Sequence, residues 1–372
     1  MNLSTNARSE LMTAFLADAG WGQARLSPLP GDASTRHYIR LHLNGRTAML
    51  MDQPEHAEAP SAAVDATPEA RRALGYNALA RLAGADCARF VAVARHLKGC
   101  GLAAPEIYAA DVGRGFLLLE DLGDDLYTDV LARNGDERVL YQAAIEALAR
   151  LHAEPAPIKL SGDKPLFPYD ETAQLAEVDL LTEWFLPAAL NRPTAADTTD
   201  EHRVLWREAL RGIPGRAVFV HRDFHAQNLL WRQGREGIAR VGVIDFQDAL
   251  AGSPAYDVVS LLEDARRDVA PELAQAMTEI YLAKSRESGV KLDNEQFRLS
   301  AAILAAQRNA KIIGIFARLS KRDNKPRYLA HLPRVWRYMD RDLAHPALSK
   351  LKAWYRRVVP QDARALAEGA QS

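Results

Sequence analysis

The chain has 372 residues, enough for two domains or two lobes sharing a cleft, each with its own core. Hydrophobic residues make up 48% and charged residues 26%, outside the range of disordered and fibrous chains, and a formal net charge of −1 argues against binding nucleic acid over the whole surface. Cys87 and Cys100 are neither a disulfide framework nor a metal-ligand spacing, no apolar run approaches the length of a membrane span, and the N-terminus lacks the pattern of an export signal. A cytoplasmic protein with reduced thiols and no membrane association is expected.

Residues 3–19 read as a short amphipathic helix, and LSPLPGDAST after it is turn-rich. HYIRLHL alternates like a strand, with Tyr38, Arg40 and His42 on one face and Ile39, Leu41 and Leu43 on the other. Asn44-Gly45 is a strong hairpin signal, and RTAMLMDQ is the returning strand. Residues 53–86, rich in Ala, Pro and acidic groups, read as an insertion, partly helical around ARRALGYNALARLAG. A helix from about 90 to 97 stops at Gly99 and Gly101, and APEIYAADVGRGFLLLEDLG gives two strands joined by a turn at residues 113–115. FLLLE then breaks at residues 121–125, a natural lobe boundary. From residue 126 helical periods dominate, interrupted by the strand-like runs RAVFV and ARVGVIDF. The expected fold is α+β and two-lobed, with a small β-rich lobe over 1–121 and a larger, mainly helical lobe over 122–372.

VFVHRDFHAQNLLW, residues 218–231, carries the chemistry. The H-R-D-x-x-x-x-N spacing of His221, Arg222, Asp223 and Asn228 is that of a phosphotransfer loop, in which the aspartate accepts the attacking hydroxyl's proton and the asparagine holds Mg²⁺. VGVIDFQDA supplies a strand ending in Asp245, a second metal ligand, and the polar REGIAR before it is suited to a hairpin turn, so Asp223, Asn228 and Asp245 are expected at the ends of paired strands. Three oxygen donors there suit Mg²⁺, which completes its octahedron with water and phosphate oxygens. His221 and Arg222 are expected to be structural. Asp257, opening a helix after a turn, is assigned a structural role too, accepting backbone N–H groups of the loop or capping its own helix. His225 and Gln247 lie close enough in sequence to the proposed base and metal ligand to face substrate, with packing the alternative for His225.

The segments FVHRDFHAQNLLW, GVIDFQDALAGSPAYDVVSLL and FLLLEDLG resemble the aminoglycoside phosphotransferase family, small-molecule kinases with a protein-kinase-like fold. More narrowly, GDASTRHYIRL, RFVAVARHL, LLEDARRDV and GIFARLSKRDNKPRYLAHLPRVWRY resemble bacterial N-acetylmuramate/N-acetylglucosamine 1-phosphate kinases of cell-wall recycling. The resemblance implies ATP and Mg²⁺ as cofactors, a small-molecule sugar substrate phosphorylated at its anomeric hydroxyl, and Glu120, Asp121 and Leu122 in the hinge that meets adenine. It implies no nucleic acid and no obligate protein partner. Alternatives are a kinase of another hydroxyl compound, such as an aminoglycoside, choline or another sugar, or a nucleotide-binding pseudokinase scaffold.

One departure from the wider kinase pattern is that no lysine precedes Lys98, so the returning strand lacks the usual phosphate-binding lysine. Arg36 or Arg40 is expected to substitute, since a guanidinium grips phosphate oxygens bidentately, and Ser34 belongs to the same phosphate-facing turn. EVDLLTEWFLP places Asp179, Glu183 and Trp184 near one helical face, as a sugar pocket or a buried amphipathic helix would. From Arg318 to Arg357 there are twelve Lys or Arg and three Asp. That run is either a solvated basic surface or an attraction for an anionic substrate such as the lactyl carboxylate of N-acetylmuramate, for which Arg308 and Lys311 are the candidates.

Overall fold

The computed structural model describes residues 5–30, 35–54, 59–213, 215–364 and 366. They divide into two compact units, one from 1–147, 157–167 and 226–249, the other from 148–156, 168–225 and 250–372. With a small antiparallel sheet near the N-terminus and a mainly helical remainder, the fold is α+β and of the two-lobed kinase class.

The first unit is built on five antiparallel strands, β1 (Arg25–Pro28), β2 (His37–Leu43), β3 (Arg46–Asp52), β4 (Ile107–Asp111) and β5 (Phe116–Glu120), in the order β1-β2-β3-β5-β4. At the β2–β3 turn Asn44 (φ 50°) and Gly45 (φ 76°) take the left-handed conformations that a two-residue hairpin loop requires, and Leu43 pairs with Arg46. That register sends Ile39, Leu41 and Leu43 to the face where Ala48, Leu50, Phe116 and Leu118 meet Phe15, Leu16 and Trp21. The helix Thr5–Asp18 supplies Phe15 and Leu16, and Phe15 stacks on Phe116 at 5.7 Å. Each aliphatic side chain fully buried there contributes about 1.5–3 kcal/mol. β1 falls within a stretch read as turn-rich. It is an edge strand, where Pro28 deprives no interior ladder of a donor.

The insertion does contain two short helices, Pro68–Leu74 and Tyr76–Leu79. What organises it is a set of buried guanidinium groups. Arg71 donates to the Ala78 carbonyl at 3.1 Å and Arg81 to those of Ala63 and Val64 at 2.7 and 2.8 Å; just past the insertion, on the helix Cys87–Gly99, Arg89 donates to those of Gln247 and Ala249 at 3.0 and 2.7 Å.

Four short strands follow: β6 (Val218–Val220), β7 (Leu229–Trp231), β8 (Val241–Val243) and β9 (Leu250–Gly252). β7 pairs with β8 in the first unit and β6 with β9 in the second, all antiparallel. Asp223 thus follows a strand paired with β9, while Asn228 and Asp245 flank the β7–β8 hairpin; β9 is a three-residue strand too short to announce itself.

The second unit packs the helices Glu171–Leu180, Ala196–Leu210, Asn294–Asp323, Leu332–Asp342 and Ser349–Val358 around Phe185, Trp206, Trp336, Trp354 and Tyr355. A π-helical turn, Leu181–Phe185, interrupts the first of these as it crosses the 30-residue helix Asn294–Asp323. At that crossing Gly314 faces Leu180 so closely that an added Cβ would lie 2.5 Å from the Leu180 carbonyl oxygen and from its Cβ. Backbone cannot yield there as a flexible side chain would. Gly314→Ala is therefore expected to lower the melting temperature by about 5–10 °C, from about 2–3 kcal/mol of overpacking. An unchanged melting temperature by circular dichroism would contradict this packing. Among the described residues no helix is long and apolar enough to cross a membrane.

Candidate active site

In the second unit the chain leaves β6 at His221, and the loop is fixed from beneath by one carboxylate. Asp257, fully buried on the helix Ala255–Leu262, accepts the backbone N–H of His221 at 2.7 Å on one oxygen and that of Arg222 at 2.8 Å on the other. His152 lies 3.4 Å from the same carboxylate and 2.9 Å from the Tyr281 hydroxyl. His221 is buried with its ring edge-on to Phe224 at 5.5 Å. Arg222 holds a left-handed backbone (φ 81°), rare for a residue with a Cβ, and its buried guanidinium pairs with Glu177.

Asp223 follows, half-buried. Burial pushes its carboxyl up, but the charges of Lys311, His225, Arg222 and Arg308 outweigh that and hold it below the usual carboxylate range. The group is ionised at neutral pH, as an acceptor for a hydroxyl proton must be. His225 donates its backbone N–H to the Asp223 carbonyl at 3.1 Å. Its imidazole is buried, and desolvation pulls it down to about 4, so it is neutral at pH 7.

In the first unit the turn Ala226–Asn228 leads into β7, and the pairing of Leu229 with Val243 brings Asn228 beside the end of β8, where the Ile244 N–H donates to its carbonyl at 3.1 Å. Asp245 turns out of the strand in a left-handed conformation (φ 60°), exposed. The Asn228 amide lies 3.4 Å from one oxygen of Asp245, and the Gln247 amide donates to the other at 3.0 Å. Gln247 is only 3% exposed, yet among the described residues its amide oxygen has no hydrogen-bond partner. Phe246 is anchored against Phe90, ring centres 4.7 Å apart. The donor set fits a hard divalent cation: a carboxylate and a carboxamide within reach of each other. Among the described residues no three His, Cys, Asp or Glu converge on a point. A cation held here would therefore take few protein ligands and complete its shell with phosphate and water, the habit of Mg²⁺.

The sequence model of the phosphotransferase enzyme family matches residues 25–292. The chain belongs to that family. It is a kinase. A curated relative from Caulobacter vibrioides, an N-acetylmuramate/N-acetylglucosamine kinase, is 44% identical over 98% of this chain and 100% of its own length. One from Pseudomonas aeruginosa with the same name is 34% identical over 91% and 90%. Among solved structures, a choline/ethanolamine kinase family protein from Mesorhizobium loti superposes with a TM-score of 0.55 at 17% identity, covering 94% of this chain and 99% of its own. An ADP-bound aminoglycoside phosphotransferase gives 0.53 at 15%, covering 90% and 98%. These two carry the fold alone.

The remaining expected residues of this phosphotransferase fall as follows. Ser34 lies outside the described residues. Arg40 is held by two carboxylates, Asp121 at 2.9 Å and Asp124 at 2.7 Å, so it braces the segment after β5. Arg36 donates to the Gly84 carbonyl at 3.1 Å. Arg36 and Asp245 both act electrostatically on the buried Tyr38 hydroxyl, which burial first of all pushes up, placing Arg36 in the electrical neighbourhood of Asp245. Glu120 ends β5, with its carboxylate 2.8 Å from Arg232 and accepting the Glu106 N–H at 3.2 Å, while its own N–H donates to the Glu106 carbonyl. Leu122, two residues on, is half-buried.

On the substrate side, Asp179 is bound by Arg203 Nε at 2.9 and 3.0 Å, Glu183 is exposed at the π-helical turn, and Trp184 packs against the core. Arg308 donates to the Glu263 carbonyl at 3.1 Å, and Lys311 lies 2.8 Å from Glu177. Much of the basic run beyond is matched by carboxylates: Arg334 and Arg337 by Asp268, Arg341 by Glu263, Lys350 by Glu208 and Arg357 by Glu201. The residue that the sequence reading overlooked is Glu177. Its helix reads as Ala, Leu and Val, and nothing local marks one of its acids as buried.

Proposed function

We propose that this kinase transfers the γ-phosphoryl group of ATP, with Mg²⁺, to the anomeric hydroxyl of an N-acetyl amino sugar, N-acetylmuramate or N-acetylglucosamine, giving the sugar 1-phosphate in cytoplasmic cell-wall recycling. The observation that carries the sugar is the likeness, across 98% of the chain, to a relative named for both compounds. Residues 1–121 are the nucleotide-facing lobe in this reading and 122–372 the lobe of the base and the sugar pocket.

Asp223 is the base. An anomeric hydroxyl is more acidic than an ordinary alcohol and the transition state is loose, so the ionised carboxylate chiefly orients the hydroxyl and receives its proton late. Asn228 and Asp245 would hold Mg²⁺, which when bound offsets the phosphate charge. Gln247, whose buried amide oxygen lacks a hydrogen-bond partner among the described residues, and the neutral His225 are the proposed sugar contacts, and Arg308 supplies positive charge for an anionic sugar, the other candidate, Lys311, being engaged by Glu177. Backbone of Glu120, Asp121 and Leu122 meets adenine.

Of the two arginines, Arg36 is the better substitute for the missing lysine, because Arg40 is already engaged by two carboxylates. Arg36→Glu is expected to raise KM for ATP about tenfold or more and to leave KM for sugar within about threefold, the size of one lost charge-assisted contact to phosphate. Unchanged ATP kinetics would exclude it.

The function is tested by ADP release with Mg-ATP on N-acetylmuramate, N-acetylglucosamine, N-acetylgalactosamine, glucose and kanamycin, beside their 1-O-methyl forms where these exist. Turnover on the free N-acetyl sugars that vanishes on 1-O-methylation supports the proposal. Turnover confined to kanamycin, or untouched by methylation, overturns it.

A further inference from the structure

The helix Glu171–Leu180 buries one carboxylate completely, and every lone pair of it is used. One oxygen of Glu177 takes the Arg222 guanidinium and the Lys311 ammonium, the latter at 2.8 Å. The other takes the Tyr169 hydroxyl and the Gln307 amide, the latter at 3.0 Å. Gln307 and Lys311 stand one turn apart on the helix Asn294–Asp323, and Tyr169 comes just before the helix that carries Glu177 itself. Three segments of the second unit are thus tied to one side chain.

What makes this more than a core ion pair is the identity of Arg222. Its backbone is left-handed, its N–H is taken by Asp257, and the next residue is Asp223. Strained conformations of this kind persist only where the surroundings over-determine them. Here Asp257 holds the main chain and Glu177 the side chain. The same two cations, Lys311 and Arg222, act on the Asp223 carboxyl. Without Glu177 they would be two buried charges lacking their shared carboxylate and still acting on Asp223.

We propose that Glu177 is a positioning residue of the kinase: by engaging Arg222 and Lys311 together it fixes the loop backbone and keeps both cations from closing on Asp223. The role rests on the reading of Asp223 as the base. Glu177 never touches substrate, so its loss should appear in turnover and not in binding.

The test uses the full-length enzyme, with wild type first run on the acceptor panel so that a wrong substrate assignment is seen before any variant is judged. All variants are then compared on whichever acceptor wild type phosphorylates. Glu177→Gln, close in shape and neutral, is expected to lower kcat about a hundredfold with both KM values within about threefold, the cost of a misplacement of about 1 Å at a reacting group. Adding Lys311→Met should restore kcat at least about tenfold, because the uncompensated cation leaves with its carboxylate. Should Glu177→Gln fail to fold, Glu177→Asp serves, with kcat expected about tenfold down. A crystal structure of the folded variant adds a readout independent of any acceptor, with the Asp223 carboxylate displaced. The proposal is overturned if kcat of the folded variant stays within about threefold of wild type, if the loss falls on KM for the acceptor, if Lys311→Met deepens the loss, or if Asp223 superposes on its wild-type position.

Discussion

Asp223→Asn is expected to lower kcat about a thousandfold while the melting temperature and KM for ATP stay near wild type, which steady-state kinetics and thermal denaturation would measure together. The carboxamide matches the carboxylate in shape, so the loop held by Asp257 and Glu177 keeps its course, and only the proposed proton acceptor is lost. The pH dependence follows from the same surroundings. Burial alone would raise the Asp223 carboxyl, but Lys311, His225, Arg222 and Arg308 bring it below its ordinary value. A base whose value is lowered loses activity only as pH falls through that lowered value. The acid limb of kcat/KM should accordingly lie below the ordinary range of an aspartate, and the imidazole of His225, brought down to about 4, adds no limb nearer neutrality. A limb near pH 6 that survives changes of buffer would mean that another group is the base.

Stability has an acid edge of its own. Glu177 is carried down to about 2 because Lys311 and Arg222 overcome the penalty of burial. A lowered carboxyl contributes stability that is full above its unfolded value, about 4.3, and is lost as pH falls toward the folded one. Unfolding midpoints are thus expected to fall between about pH 4.5 and 2.

Asp245→Asn should have the larger effect on kcat/KM, about ten-thousandfold, accompanied by a raised requirement for Mg²⁺. Asparagine tolerates the left-handed backbone that Asp245 adopts (φ 60°), so the turn out of β8 is retained and the change isolates the charge. Excess Mg²⁺ should recover part of the activity, because Asn228 and the phosphates still offer oxygens. A titration of Mg²⁺ at saturating ATP separates the outcomes: an unchanged half-saturation with reduced kcat would remove Asp245 from the metal and leave it a positioning role.

The parts of the fold legible in the sequence are those fixed by local chemistry. The β2–β3 hairpin is announced by Asn44-Gly45, whose positive φ values the turn needs, and the alternation of Ile39, Leu41 and Leu43 names the face that meets the N-terminal helix. The juxtaposition of Asn228 with Asp245 follows from a short hairpin with a polar turn. What escaped is set by distant partners. β1 hides in turn-like composition because an edge strand tolerates Pro28, and β9 has three residues. The insertion is ordered by Arg71 and Arg81 donating to carbonyls, an arrangement without periodicity. Arg40, a candidate phosphate contact from its strand alone, is engaged by Asp121 and Asp124, more than eighty residues on. Glu177 depends on Gln307 and Lys311, more than a hundred residues downstream.

The central claim is the transfer of phosphate to an anomeric oxygen, and phosphorus NMR of the product made from N-acetylmuramate and Mg-ATP addresses it most directly. The proposal expects one new phosphomonoester whose phosphorus is scalar-coupled to the anomeric proton. Coupling to protons at carbon 6 or carbon 4, or ATP left intact beside unmodified sugar, would contradict it.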